Sequence, residues 1–238
     1  MRTAILGIVL ALGACSSRGE EREAARATAQ RSFQVGEFRA VSLEGSHDVV
    51  VAFGAAPSVR AEGEADDLER LDIRVENGTL KIGTRGERRW FEFGHHHRVT
   101  VYVTAPALNG ARIEGSGDMR VDRAQAEAFE AVIEGSGDLE IGRLQARRAN
   151  FSVAGSGDIR AAGTAEQSEI SVAGSGSVDL AQLQTRRSSV SVAGSGDISV
   201  RASEAVQGEL MGSGDIIVHG TARCSVSKMG SGDVRCGA

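Results

Sequence analysis

Residues 190–200, Val190-Ser191-Val192-Ala193-Gly194-Ser195-Gly196-Asp197-Ile198-Ser199-Val200, carry the grammar of this chain. Apolar residues alternate with Ser or Ala on either side of a Gly-Ser-Gly-Asp centre, which is the period of a strand with one buried face. Two glycines so close together permit a corner that a Cβ would resist, and the Ser and Asp beside them bond readily to nearby backbone amides. The stretch reads as strand, corner, strand. The same tetrapeptide starts at Gly115, Gly135, Gly155, Gly194, Gly212 and Gly230, with a Gly-Ser-Gly-Ser copy at Gly174. Successive copies lie 20, 20, 19, 20, 18 and 18 residues apart. Such a period marks a solenoid, because one unit of this kind cannot bury its apolar face alone.

The expected fold is therefore all-β, a parallel β-helix-like solenoid of about 20-residue coils with an irregular N-terminal β cap. Ile113, Val132, Phe151, Val153, Ile170, Val172, Val190 and Val192 precede the corners and are expected to face inward. Met119, Leu139, Ile159, Val178, Ile198, Ile216 and Val234 follow the corners and point into the same core. A second corner closes each coil. These are more varied, with Leu144-Gln145-Ala146-Arg147-Arg148 and Leu183-Gln184-Thr185-Arg186-Arg187 as the clearest relatives, so ligand specificity is expected to concentrate there.

Upstream the repeat is weaker. Val41-Ser42-Leu43-Glu44-Gly45-Ser46-His47-Asp48-Val49-Val50-Val51 reads as a degenerate first copy. Further strands are expected at Ser58 to Glu62, Leu71 to Glu76, Thr79 to Thr84 and Val99 to Thr104, with a helical turn over Glu64 to Arg70. Asn77-Gly78 signals a hairpin, since both residues tolerate positive φ.

The first residues read as an export signal: Arg2, an apolar run from Ile5 to Leu12, then Leu12-Gly13-Ala14-Cys15. The run is too short to span a bilayer as a helix. Its ending resembles the bacterial lipobox, which implies cleavage before Cys15 and a lipid on that cysteine. Ser16 follows in place of Asp, which by analogy with enterobacterial sorting implies the outer membrane. The expected organisation is a signal peptide over 1–14, a lipidated cysteine and flexible tether over 15–32, an irregular β region over 33–110 and the solenoid proper over 111–238.

Beyond Cys15 the cysteines are Cys224 and Cys236. Export places them in an oxidising compartment, and both fall on the inward parity of the last coil, so they are expected to pair. Two separately buried thiols are the alternative.

The Gly-Ser-Gly-Asp period, the Glu44-Gly45-Ser46-His47-Asp48-Val49 element, the Leu80-Lys81-Ile82 strand and Val99-Thr100-Val101-Tyr102-Val103-Thr104-Ala105-Pro106 together resemble a bacterial family named putative autotransporter adhesin, head GIN domain. The resemblance covers roughly Phe33 to Ala238. It implies a parallel β-helix-like fold on exported proteins, often lipoproteins, and it supplies no catalytic residues. Ser177 departs from the pattern, standing where the other corners have Asp.

Stacked coils would align Asp118, Asp138 and Asp158, then Asp197, Asp215 and Asp233. Either the column serves the corners alone, its solvated carboxylates repelling by roughly 1 kcal/mol per pair, or a hard cation such as calcium neutralises it. No other cofactor is expected. Trp90-Phe91-Glu92-Phe93-Gly94-His95-His96-His97 concentrates aromatics and histidines in a chain that has one Trp, one Tyr and seven Phe. Trp90, Phe91 and Phe93 are expected either to touch a partner or to close the core, while His95 and His97 could converge on a metal only in an extended strand.

A net charge of −5, with Arg interspersed among Glu and Asp, argues against nucleic acid. Enzymatic activity is not expected: the carboxylates are periodic rather than singled out, and sugar-stacking aromatics are scarce. The functional expectation is a lipid-anchored, non-enzymatic envelope module that binds a glycan or a surface protein. The alternative is a periplasmic scaffold docking to another envelope protein through its coil end, where the exposed strand edges are either pinched shut by a Cys224–Cys236 bridge or covered end to end by a second copy. A carbohydrate-active β-helix enzyme ranks below both.

Overall fold

Each Gly-Ser-Gly-Asp copy turns the chain back onto the coil before it, and the strands between copies pair in parallel from corner to corner. The structure is a computed structural model that describes residues 28–85 and 98–237. Its regular part consists of β9 (Met119–Gly135), β10 (Leu139–Gly155), β11 (Ile159–Gly174), β12 (Val178–Gly194) and β13 (Ile198–Gly212). The last full coil is made by β14 (Ile216–His219) and β15 (Arg223–Gly230), and β16 (Val234–Cys236) begins another by pairing with β14. Each long strand bends at its second corner and contributes to two faces of the solenoid. The chain thus forms the β-solenoid that its period requires.

Register is held coil by coil. Leu139 stands between Met119 and Ile159, and the corner glycines Gly115, Gly135, Gly155, Gly174 and Gly194 stack in one column. The first glycine of each corner has positive φ, 139° at Gly115 and 142° at Gly135. At the second glycine the constraint is the neighbouring coil: a Cβ on Gly137 would sit 2.0 Å from the carbonyl oxygen of Gly117. Both glycines are therefore needed, for different reasons.

The core is a stack of side-chain columns, and its volumes interlock. Phe129 lies beside Ala149, whereas Ala131 lies beside Phe151, so each ring fills the space that the neighbouring coil leaves. Phe129 and Phe151 are both fully buried. Further along, Ser168 and Ser188 occupy the Ala149 column. Ser168 Oγ donates to Ser188 Oγ at 2.8 Å, Ser188 also bonds Thr185, and Thr185 donates to the Arg201 carbonyl at 2.7 Å. Every buried hydroxyl there is satisfied, as a dry interior demands.

One inward assignment is corrected. Val132 does not belong to the inward column: the residue in register with Ile113 and Val153 is Ile133, and Val132 pairs with Arg112 and Ser152 on the outer face. Ala131, Val132 and Ile133 are all apolar and all buried, so alternation carries no parity signal at this point.

The N-terminal region is more than a cap. It comprises β1 (Thr28–Phe33), β2 (Ala40–Gly45), β3 (Asp48–Phe53), β4 (Ser58–Glu64), α1 (Ala65–Arg70), β5 (Leu71–Glu76), β6 (Thr79–Thr84), β7 (Thr100–Ala105) and β8 (Gly110–Gly115). The β2–β3 coil turns at Gly45 and lies directly against the β8–β9 coil. On its other side lie β6 and β7, which come later in the sequence. The first coil in the sequence is thus second in the stack, inserted between strands made after it. Antiparallel strands finish that end, β4 on β7 and β5 on β6, the latter through the hairpin at Asn77 (φ 51°) and Gly78 (φ 76°). β1 pairs with β4, with Ala29 and Phe33 partly buried, so Thr28 to Ser32, within the stretch read as a tether, form a strand of the fold. A six-residue strand with only two contacts to the core leaves little alternation for a sequence reading to detect.

At the other end, Lys228 stands in the inward column after Leu210, remains exposed and lies 3.9 Å from Asp233. An inward-parity charge on a terminal strand discourages further strands from stacking there.

Candidate functional site

The solenoid has two kinds of corner, and they do different chemistry. At the first corners, the Ser N–H donates to the glycine carbonyl of the preceding coil, as in Ser136 to Gly115 at 2.9 Å and Ser195 to Gly174 at 2.8 Å. The aspartates add a relay. Asp118 Oδ1 accepts from the Asp138 N–H at 3.0 Å, Asp138 from Asp158 at 3.0 Å, and Asp158 from Ser177 at 3.0 Å. Asp197 then accepts from Asp215 at 2.8 Å, and Asp215 from Asp233 at 2.9 Å. One oxygen of each carboxylate that continues the relay is thus committed to the next coil's backbone. Ser177 donates its N–H to Asp158 but has no carboxylate with which to accept from the Asp197 N–H. Among the described residues, no group of three His, Cys, Asp or Glu is arranged to hold a metal ion. The geometry gives the column a fold-building role, with each carboxylate satisfying an amide that a corner would otherwise leave to solvent.

The second corners build a groove. In register across the coils stand Gln125, Gln145 and Thr164 on one wall, with Ala126, Ala146 and Ala165 along the floor. The other wall is Glu127, Arg147, Glu166 and Arg186. Small floor residues between long polar ones leave an open depression of about 770 Å³ running along the stack. Phe53, Pro106, Ala107 and Leu108 close one end, and Arg123 lies beside them.

The charged wall alternates in sign. Arg147 lies 2.9 Å from Glu127 and 3.5 Å from Glu166, and Arg186 and Arg187 both reach Glu204, at 2.5 and 3.0 Å. The Glu127 carboxylate, followed by Glu166, holds the proton of the Arg147 guanidinium more firmly than usual. Hydrogen bonding from Arg186 likewise holds the Glu204 carboxyl below its ordinary range. A second alternating column runs through Arg120, Glu140, Arg160 and Asp179, with Arg120 Nε donating to Glu140 at 2.8 Å. Alternation is the low-energy arrangement where strands stack side by side, since like charges directly opposite repel.

Phe53 was not singled out by sequence reasoning. Its parity follows Val49 and Val51, yet the pairing of β3 with β9 ends at Val51. The ring therefore projects past the core, 53% exposed, with the Arg123 guanidinium 5.7 Å from its centroid. An aromatic at the end of an alternating strand, followed by Gly54, was the available signal.

With this solenoid and its corners described, the comparison with known families is direct. Residues 37–222 match the family described as putative auto-transporter adhesin, head GIN domain. The chain belongs to that family. Solved structures share the fold. A putative adhesin from Bacteroides fragilis superposes with a TM-score of 0.80 at 21% identity, covering 90% of this chain and 98% of its own. A putative lipid binding protein from Parabacteroides distasonis gives 0.70 at 24% identity, with 88% and 96% coverage. A putative adhesin from Parabacteroides merdae gives 0.68 at 15%, with 88% and 95% coverage. At these identities the likeness speaks for the fold. A search of curated proteins finds no match. Membership of the head GIN family makes an adhesin-like role at or outside the cell envelope the broad functional class of this chain.

The remaining predicted sites divide in two. Cys224 and Cys236 are joined by a disulfide in the structure, with their Cα atoms 6.3 Å apart. Cys15, Trp90, Phe91, Phe93 and His95 to His97 lie outside the described residues. In chain order the aromatic and histidine segment falls between β6 and β7, where the other coils have a first corner.

Proposed function

We propose that this chain is a non-enzymatic binding module of the bacterial cell envelope, anchored by lipid on Cys15 in the outer membrane, and that its solenoid offers the second-corner groove to a glycan or surface protein. The observation that carries this reading is the groove itself. Its walls are polar side chains in regular register, its mouth holds an exposed aromatic ring, and its polar groups form ion-pair ladders rather than a nucleophile and base. Such a surface recognises; it has no evident means of bond cleavage. The Ser-rich outer face, with Ser189 among Arg148, Asn150 and Gln167 around a smaller depression of about 300 Å³, adds weaker polar contacts.

The competing arrangement is a periplasmic scaffold docked through the coil end. Lys228 speaks against strand-to-strand docking there, because any coil laid on β15 would bury its ammonium. Protease accessibility of the lipidated protein separates the readings. Digestion on intact cells is the expected outcome. Protection until the outer membrane is opened would remove direct adhesion and favour the scaffold.

A further inference from the structure

On the groove side of the solenoid Arg147, Arg186 and Arg187 each reach a carboxylate of an adjacent coil, whereas Arg123 and Arg143 do not. Arg123 and Arg143 are in register on neighbouring strands, β9 and β10, with like charges directly opposite. Both are exposed. Neither makes an ion pair among the described residues, although Asp122 is adjacent in sequence and Glu127 and Glu140 lie on the same strands. Like charges across a strand pair destabilise, so this arrangement costs the free protein something that the neighbouring columns avoid. Departures from an otherwise consistent pattern are expected where a function uses them.

The position is telling. Arg123 lines the mouth of the groove with its guanidinium over the Phe53 ring, which keeps it extended and leaves N–H groups available. Downstream of this cation pair, the groove repeats Gln125, Gln145 and Thr164 opposite Glu127, Arg147 and Glu166, one set per coil. A wall that repeats every ~4.8 Å suits a linear polymer whose own repeat is about the length of one sugar ring. An extended peptide fits less well. Strand addition needs an unpaired edge, and at mid-stack β10 and β11 are paired on both sides.

We infer that the groove binds an anionic polysaccharide, with an acid group of the sugar held by Arg123 and Arg143, a ring packed against Phe53, and hydroxyls bonded along the Gln and Glu/Arg walls. The shared ligand chemistry is an acidic glycan chain, its anion either a uronate carboxylate or a sulfate. This inference rests on the binding-module reading and narrows it.

The test titrates the full-length protein in detergent with polygalacturonate, chondroitin sulfate and neutral dextran, followed by calorimetry at low and physiological salt. Binding of either acidic polymer but not dextran is expected, with affinity falling about tenfold or more in Arg123→Ala/Arg143→Ala. Phe53→Ala should weaken it as well. A control pair at the other end of the rod, Arg223→Ala/Arg235→Ala, removes the same charge and should leave affinity nearly unchanged; circular dichroism checks that each variant is folded. The preferred acidic polymer tells carboxylate from sulfate. Equal binding of dextran, equal losses in both double variants, or no binding of any polymer would each overturn the inference. If intact cells bearing the protein still adhere in those cases, the binding-module reading survives; if adhesion does not depend on the protein, that reading fails too.

Discussion

The first corners and the second corners are made by the same coils, yet they are built on opposite principles. From Gly115 onward the first corners all say the same thing: Gly-Ser-Gly with Asp or Ser, a positive φ at the first glycine, and the same bond from the Ser N–H to the preceding coil. The second corners vary from coil to coil. Irregularities in register collect there, between Ile141 and Leu144, between Arg160 and Ala162, and between Leu180 and Gln184, absorbing the difference between 18-, 19- and 20-residue repeats. Uniformity builds the rod, and variety gives each coil an identity. That identity matters for folding itself. Identical corners cannot distinguish the next coil from the one beyond it, whereas the alternating charges and the Phe129/Ala149 and Ala131/Phe151 pairs can. Skipping a coil would set Glu127 against Glu166 and Arg147 against Arg186.

This contrast can be broken most severely at Gly137. Gly137→Ala places a Cβ 2.0 Å from a backbone oxygen that cannot move without disturbing its own coil. The expected loss is on the order of 3 kcal/mol or more, read from urea denaturation; a near-neutral result would show that the corners are plastic. Phe151→Ala, which leaves a void beside Ala131, should cost about 3–5 kcal/mol in the same assay.

A milder effect is expected at Asp138→Ala, which removes the acceptor for the Asp158 N–H. A loss of about 1–2 kcal/mol fits one charge-assisted bond at a solvated corner. Chelator should leave the melting temperature of the parent protein unchanged, and a marked drop would return calcium to the Asp column. Smaller still is Arg147→Glu at a second corner, which sets like charges beside Glu127 and Glu166. Its melting temperature should fall slightly at low salt and recover as salt is raised, because the wall is exposed; a salt-independent loss would mean that the wall also packs.

The smallest effect is that of pH. Since the folded Glu204 carboxyl titrates below its ordinary value of 4.5, its link to Arg186 contributes stability above that value and loses it as pH falls through the lower folded one. Stability should therefore be indifferent to Glu204→Gln below the folded value and show a slight deficit at neutral pH, measured as melting temperature against pH.

What the sequence disclosed and what it withheld follow the same division. The first corners and most inward columns were legible because their signal is local and repeated, so that Val190, Val192 and Ile198 can be placed without reference to any other coil. Val132 escaped because three consecutive apolar residues erase alternation. The insertion of the β2–β3 coil between later strands was hidden, since Glu44 to Val51 announces a corner but says nothing about which strands flank it. Second corners were recognised as the variable part. Their groove was not legible, because it is assembled from residues some 20 apart in the chain together with Phe53, whose exposure depends on where a neighbouring strand stops.

The insertion of that early coil bears on how the rod carries a load. Among the described residues β1 is the first strand that tension from the N-terminal side meets, and it is an edge strand with the single partner β4. The next strand it reaches is β2, gripped by β6 on one side and β8 on the other, while β3 is gripped by β7 and β9. Peeling one edge strand is cheap, but withdrawing a coil from the middle of a stack requires breaking two parallel ladders together. Mechanical resistance therefore rises from β1 inward, and this end acts as a clutch: β1 yields under a modest pull, and the wedged coil holds the rest of the solenoid intact.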